Sequence, residues 1–95
     1  MHICFITTGD IKSIATAKRA LGLANHLSDL GWNVSIIMDD TEENRHRVEL
    51  ECDERTKVYF LYYHSAFDEL KKKNTLIKQI KPDVLYTVSY THLTL

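Results

Sequence analysis

A parallel α/β sheet with helices on both faces is the fold class this sequence predicts, and three observations predict it. Apolar runs at 2–7, 34–38, 57–63 and 83–87 are short and nearly continuous, the pattern of strands covered on both sides. Between them lie stretches whose apolar residues recur at spacings of three and four, the signature of amphipathic helices. Strand and helix therefore alternate along the chain, and strands joined by helical crossovers lie parallel with right-handed connections.

The elements follow in order. His2-Ile-Cys-Phe-Ile-Thr7 is the first strand. After the polar turn Thr8–Ser13, residues Ala17, Leu21, Ala24, Leu27 and Leu30 form one stripe, which predicts a helix from about Ser13 to Leu30. Ser13 or Asp10 suits its N-cap, and Gly31 suits the left-handed position that ends it. Val34–Met38 is the second strand. Thr41 followed by Glu42 and Glu43 marks a helix start, with acids at the positive end of the dipole. That helix runs to about Leu50, although Val48–Cys52 also alternates like a strand. Lys57–Tyr63, rich in β-branched and aromatic residues, is the third strand. Phe67, Leu70, Leu76, Ile77 and Ile80 mark a helix over 65–80 that Pro82 ends, and Asp83–Thr87 is the fourth strand.

The expected spatial order is 3-2-1-4, a Rossmann-like arrangement. Winding reverses between strands 1 and 4, and in such sheets ligands bind beyond the carboxyl ends of the strands at that point. The expected crevice is framed by Thr7, Thr8, Gly9 and Asp10 on one side and by Tyr86 and Thr87 on the other.

Composition narrows the function classes. Ninety-five residues are few for one α/β domain and leave no room for a second, so an incomplete domain is expected. A net charge of −1 gives no bulk attraction to nucleic acid. Charge is uneven: eight acids and three bases lie between Asp39 and Arg55, and five lysines and two acids between His64 and Lys81. Both stretches read as solvated helix faces, with contact between Lys71-Lys-Lys73 and anionic lipid as the alternative. Cys4 and Cys52 form no CxxC pair and read as small hydrophobes of a reduced cytosolic protein. No signal peptide and no membrane-length apolar run is present.

The turn after the first strand is the main functional candidate, because a helix start offers free N–H groups and a positive dipole end to an anion. It carries neither GxGxxG nor GxxxxGK[ST]. Gly9 either relieves a tight turn or, with neighbouring amides, approaches a diphosphate or sugar to which Lys12 adds charge. Asp39 and Asp40 close the second strand. Without a glycine fingerprint they read as helix-capping residues, and Tyr63-His-Ser65 lacks the aspartate a phosphoacceptor cluster needs. His2, His26, His46, His64 and His92 show no metal-ligand spacing. Four of them read as solvated or capping groups; His64, after the third strand, is placed to reach the crevice as a polar contact or base.

Val88-Ser-Tyr-Thr-His-Leu-Thr-Leu95 breaks the pattern and resembles the translation of a sequencing-library transposase adapter. Residues 88–95 are therefore expected to be a non-native tail, and 1–87 the natural domain fragment.

Met1-His-Ile-Cys-Phe-Ile-Thr-Thr8, Leu23-Ala-Asn-His-Leu27, Leu30-Gly-Trp-Asn-Val34 and Lys81-Pro-Asp-Val-Leu85 resemble the N-terminal domain of family 4-type glycosyltransferases of the GT-B fold. The resemblance implies an acceptor-side domain facing a second Rossmann-like domain that binds the nucleotide-sugar donor. It implies transfer of a sugar to a sugar, lipid or small-molecule acceptor, no cofactor and no metal, and a cytoplasmic enzyme, with the inner face of the membrane as a further location. By position, Thr8, Gly9, Asp10 and Lys12 would line the cleft floor and His64 its side. The family often has a glycine-rich loop after the first strand, where this chain has Gly9 alone. The fragment by itself is expected to be inactive. The alternative function is a stand-alone flavodoxin- or Rossmann-like nucleotide-binding or regulatory domain without catalysis.

Overall fold

The computed structural model describes residues 1–7 and 15–88, with side chains described for 1–7 and 21–86. Elements run β1 (His2–Thr7), α1 (Ala15–Asp29), β2 (Asn33–Asp39), α2 (Glu42–Glu51), β3 (Lys57–Leu61), α3 (Ala66–Ile80) and β4 (Val84–Val88). The four strands form one sheet in the order β3-β2-β1-β4, and every pairing is parallel. The register sets Phe5 beside Ile36 on one side and Tyr86 on the other. The predicted architecture is the one observed, a Rossmann-like parallel α/β sheet with helices flanking it.

The continuous apolar character of β1 and β2 follows from their central places. Ile3, Phe5, Val34, Ile36 and Met38 face α1 and α2, packing with Leu21, Ala24, Leu27, Val48 and Cys52. Cys4, Ile6 and Ile37 face the opposite way, where Leu76, Ile77 and Ile80 of α3 cover them. Each large side chain fully buried here, such as Phe5 or Ile37, contributes about 1.5–3 kcal/mol. β4 is an edge strand with less cover: Val84, Leu85 and Tyr86 remain 38%, 47% and 49% exposed.

Helix ends follow local chemistry. Thr41 adopts an extended conformation and its side chain accepts from the N–H of Asn44, capping α2. Val48–Glu51 continues that helix instead of forming a strand. Gly31 takes φ 91°, the left-handed turn expected of it. Lys81 ends α3 at φ 51°, a conformation that costs a residue with a Cβ, and Pro82 follows it. The caps proposed for α1, Asp10 and Ser13, lie outside the described residues.

Several side chains differ from expectation. β3 stops at Leu61, short of the expected Tyr63, because its partner β2 ends at Asp39, the residue paired with Leu61. Phe67 and Leu70 are exposed; only the later apolar residues of α3 reach the sheet. Leu30 also points outward. His2 is not merely solvated: its Nε2 lies 2.8 Å from Ser35 Oγ, and its backbone N–H donates to Asp83 Oδ2 at 2.9 Å, joining β1 to β2 and to the start of β4. β4 ends at Val88, the first residue of the segment assigned to the tail; residues 89–95 lie outside the described residues.

Candidate functional site

All four strands run the same way, so their carboxyl ends share one edge: Thr7, Asp39, Leu61 and Val88. In the order β3-β2-β1-β4 the chain steps one way from β1 to β3 and crosses back to β4, so the direction of winding reverses between β1 and β4, the kind of point at which such sheets bind ligands. Four of the sequence-derived candidates, Thr8, Gly9, Asp10 and Lys12, lie outside the described residues. His64 is described and sits on the same edge, in the turn between β3 and α3.

Thr7 closes β1 but offers little to a ligand: it is 1% exposed and its hydroxyl donates to the Ile37 carbonyl at 3.2 Å. Tyr86 is not at the rim. The register sets it beside Phe5, two residues inside the edge, with ring centroids 5.5 Å apart.

Asp39 and Asp40 do not cap α2; Thr41 does. The Asp39 carbonyl accepts from Asn44 Nδ2 at 2.8 Å, which ties the helix to the end of β2. The Asp40 carboxylate accepts two bonds from Arg45, at 2.6 and 3.2 Å, and the guanidinium lies 4.4 Å above the Phe60 ring. Arg45 thereby holds the Asp40 carboxyl below the usual carboxylate range. This acid is committed to an ion pair, not aimed at a ribose.

The turn holding His64 is well braced. Ser65 Oγ accepts from the Asp68 N–H at 3.1 Å, while the Asp68 carboxylate accepts from the His64 N–H at 3.1 Å, a reciprocal box around the start of α3. Lys72 pairs with Asp68 at 3.1 Å and donates to the Tyr62 carbonyl. The His64 N–H and Lys72 both lower the Asp68 carboxyl pKa. The His64 imidazole is exposed and meets the Tyr62 ring edge-on, centroids 5.5 Å apart. An exposed aromatic pair of this kind can stack on a planar or saccharide ring. Tyr62, 65% exposed, is a candidate that sequence reasoning missed, because its aromatic character read only as a strand signal.

Behind the turn lies a partly buried polar group. Lys73 is 9% exposed, pairs with Glu69 at 2.7 Å and lies 5.5 Å from the Tyr63 ring centroid. Burial, together with the Asp39 and Glu69 carboxylates, pushes the Tyr63 phenol up. Lys73 is thus drawn into the fold, whereas Lys72, its side chain 40% exposed, meets solvent as well as Asp68 and the Tyr62 carbonyl. Beside them α3 roofs a groove of ≈ 510 Å³ over β1 and β4, lined by Ile6, Leu70, Ile77 and Leu85 with Glu69, Lys73 and Asn74 at its polar end.

Among the described residues no cluster of three His, Cys, Asp or Glu side chains could hold a metal ion, and no helix is long and apolar enough to cross a membrane. Both cysteines are free thiols, Cys4 buried and Cys52 half-buried. The chain matches no protein-family model, no curated protein and no solved structure. What is shown is therefore architecture, a Rossmann-like parallel α/β sheet.

Proposed function

We propose that this chain is the acceptor-side, N-terminal portion of a GT-B glycosyltransferase of the family 4 type, and that the intact protein transfers a sugar from a nucleotide-sugar to a sugar, lipid or small-molecule acceptor. The observation that carries the reading is the β3-β2-β1-β4 order, which sets β1 and β4 side by side at the point where winding reverses. The motif resemblance at 1–8, 23–27, 30–34 and 81–85 supports it. In this reading the acceptor rests on the carboxyl edge, with Thr8, Gly9, Asp10 and Lys12 on the floor and His64 at the side. The donor diphosphate is held chiefly by a second domain.

The reaction joins an acceptor hydroxyl to the anomeric carbon while the bond to the diphosphate breaks. Its barrier falls only when donor and acceptor are held in one geometry, and that requires both walls of a cleft. The 95-residue chain alone is therefore inactive. The test begins with the uninterrupted gene. The encoded protein, incubated with uridine and guanosine diphosphate sugars and a panel of sugar and lipid acceptors, should release nucleoside diphosphate only when acceptor is present; the 95-residue chain should release none. A natural stop codon near Thr87, or an intact protein inert toward all donors, would refute the assignment.

A further inference from the structure

Helices α2 and α3 lie on opposite faces of the sheet. Val48 of α2 packs with the cluster of Phe5 and Met38, whereas Leu76 and Ile77 of α3 pack with that of Cys4 and Ile37. Each helix turns one stripe to solvent. With 3.6 residues per turn, positions 42, 46, 49 and 50 of α2 point away from Asn44 and Val48, and positions 67, 71, 74 and 78 of α3 point away from Lys73 and Ile77. All of these outward residues are exposed, Leu50 by 64% and Phe67 by 75%.

The two stripes carry opposite charge. Glu42 and Glu49 make no ion pair among the described residues, and neither do Lys71 and Lys78. Their charged neighbours are engaged elsewhere: Arg45 with Asp40, Arg47 with Glu43 and Glu51, Lys72 with Asp68, and Lys73 with Glu69. The spacing matches as well. Glu42, His46 and Glu49 follow at intervals of four and three, and so do Lys78, Asn74 and Lys71 read backwards along α3. Laid antiparallel, two such helices bring Glu42 to Lys78, His46 to Asn74 and Glu49 to Lys71 over about 10.5 Å of axis. Leu50 and Phe67 then meet at one end, about 4.5 Å apart along the axis. Opposed helix dipoles favour the same orientation.

We propose that the outer stripe of α2 docks on the outer stripe of α3 of a second copy of this chain. Because the stripes lie on opposite faces of one sheet, the contact is heterologous. Each copy keeps one stripe for the next, so association runs head to tail and does not stop at a dimer. Two helical turns a side fall below the roughly 1,000 Å² of a stable interface, so the complex is weak and leans on charge. An acidic partner of another kind would also meet Lys71 and Lys78, but the matching intervals stand in this chain itself. The inference is independent of sugar transfer.

The test is sedimentation velocity of the 95-residue chain over rising concentration. The weight-average mass is expected to climb at low salt and to return to that of the monomer at about 1 M salt, where charges are screened within about 3 Å. Lys71→Glu with Lys78→Glu should weaken association at least about tenfold, because two attractions become repulsions. Glu42→Lys with Glu49→Lys should do the same. An equimolar mixture of these two variants, each monomeric alone, should associate again. Phe67→Ser should weaken association about fivefold, and Lys57→Glu, off both stripes, should leave it within about twofold. If a charge variant loses helical circular dichroism, the salt titration of the unaltered chain and Phe67→Ser decide. Association that ignores salt and both charge reversals, as pairing through the free edge of β4 would, overturns the proposal. So does a chain that stays monomeric at every concentration, or a mixture of folded variants that does not recover.

Discussion

Replacing Asn44 with alanine tests how the carboxyl edge of β2 is held. The side chain is fully buried, and its amide donates to the Asp39 carbonyl at 2.8 Å, the point where the strand hands over to α2. Alanine removes one of the two donors to that carbonyl, the Thr41 N–H at 3.0 Å being the other, a loss of about 1–1.5 kcal/mol, and leaves the space of the amide unfilled. The combined cost is roughly 2–3 kcal/mol, which in a domain of this size lowers Tm by on the order of 10–20 °C. Asn44→Asp keeps the shape but removes the donor and adds a carboxylate near Asp39 and Asp40, so it should be at least as damaging. Urea unfolding followed by far-ultraviolet circular dichroism measures the loss. Two comparators frame it: Thr41→Ala, which removes the cap of α2 at about 1 kcal/mol, and the exposed Glu42→Ala, which should cost less than about 0.5 kcal/mol. An Asn44→Ala variant as stable as Thr41→Ala would show that the amide does not anchor the helix.

Two substitutions probe the left-handed helix ends. Gly31→Ala should cost about 1 kcal/mol from its φ of 91° alone, since no atom stands near the added methyl; Lys81→Gly should gain up to about 1 kcal/mol by relieving φ 51°, and unfolding midpoints moving oppositely to these would contradict the backbone argument. Burial pushes the Cys4 thiol up from 9.0 to about 11. A group whose pKa is raised by folding contributes stability below its unfolded value and loses it as pH rises, so the fold should weaken by about 2 kcal/mol between roughly pH 9 and 11. Cys4→Ala should remove that part of the alkaline loss, and iodoacetamide should not reach Cys4 until the chain unfolds. Asp53 has the opposite sign: Arg55 side-chain and backbone donors hold its carboxyl well below the ordinary 3.8. Its contribution is present above that value and lost as pH falls below it, so Asp53→Asn should flatten the acid limb of a stability-versus-pH curve.

Much of the architecture can be read along the chain. The apolar runs of β1 and β2 announce strands buried on both faces, and burial of Ile3–Thr7 and Val34–Met38 is what they meet. Gly31 and Pro82 sit where helices must end. Less legible were the places where one side chain finds another. Lys73 looked solvated until α3 turned it toward Glu69 and Tyr63. Asp40 looked like a cap until Arg45 came within 2.6 Å. For the candidate site, the edge and His64 follow from element order, whereas Tyr62 stands out only through its exposure and its ring contact.

The amino-acid order by itself determined the alternation of strand and helix, and with it the β3-β2-β1-β4 arrangement. Hydrophobic period and turn chemistry act over a few residues, and right-handed crossovers then leave few ways to join the strands. Only the tertiary structure decided which charges are spent and which face outward. His2 reaches Ser35 across 33 positions, Arg55 reaches Asp29 across 26, and Tyr86 meets Phe5 through strand register. Such pairings depend on register and helix rotation, which no local pattern encodes, because both are set by how the whole core packs.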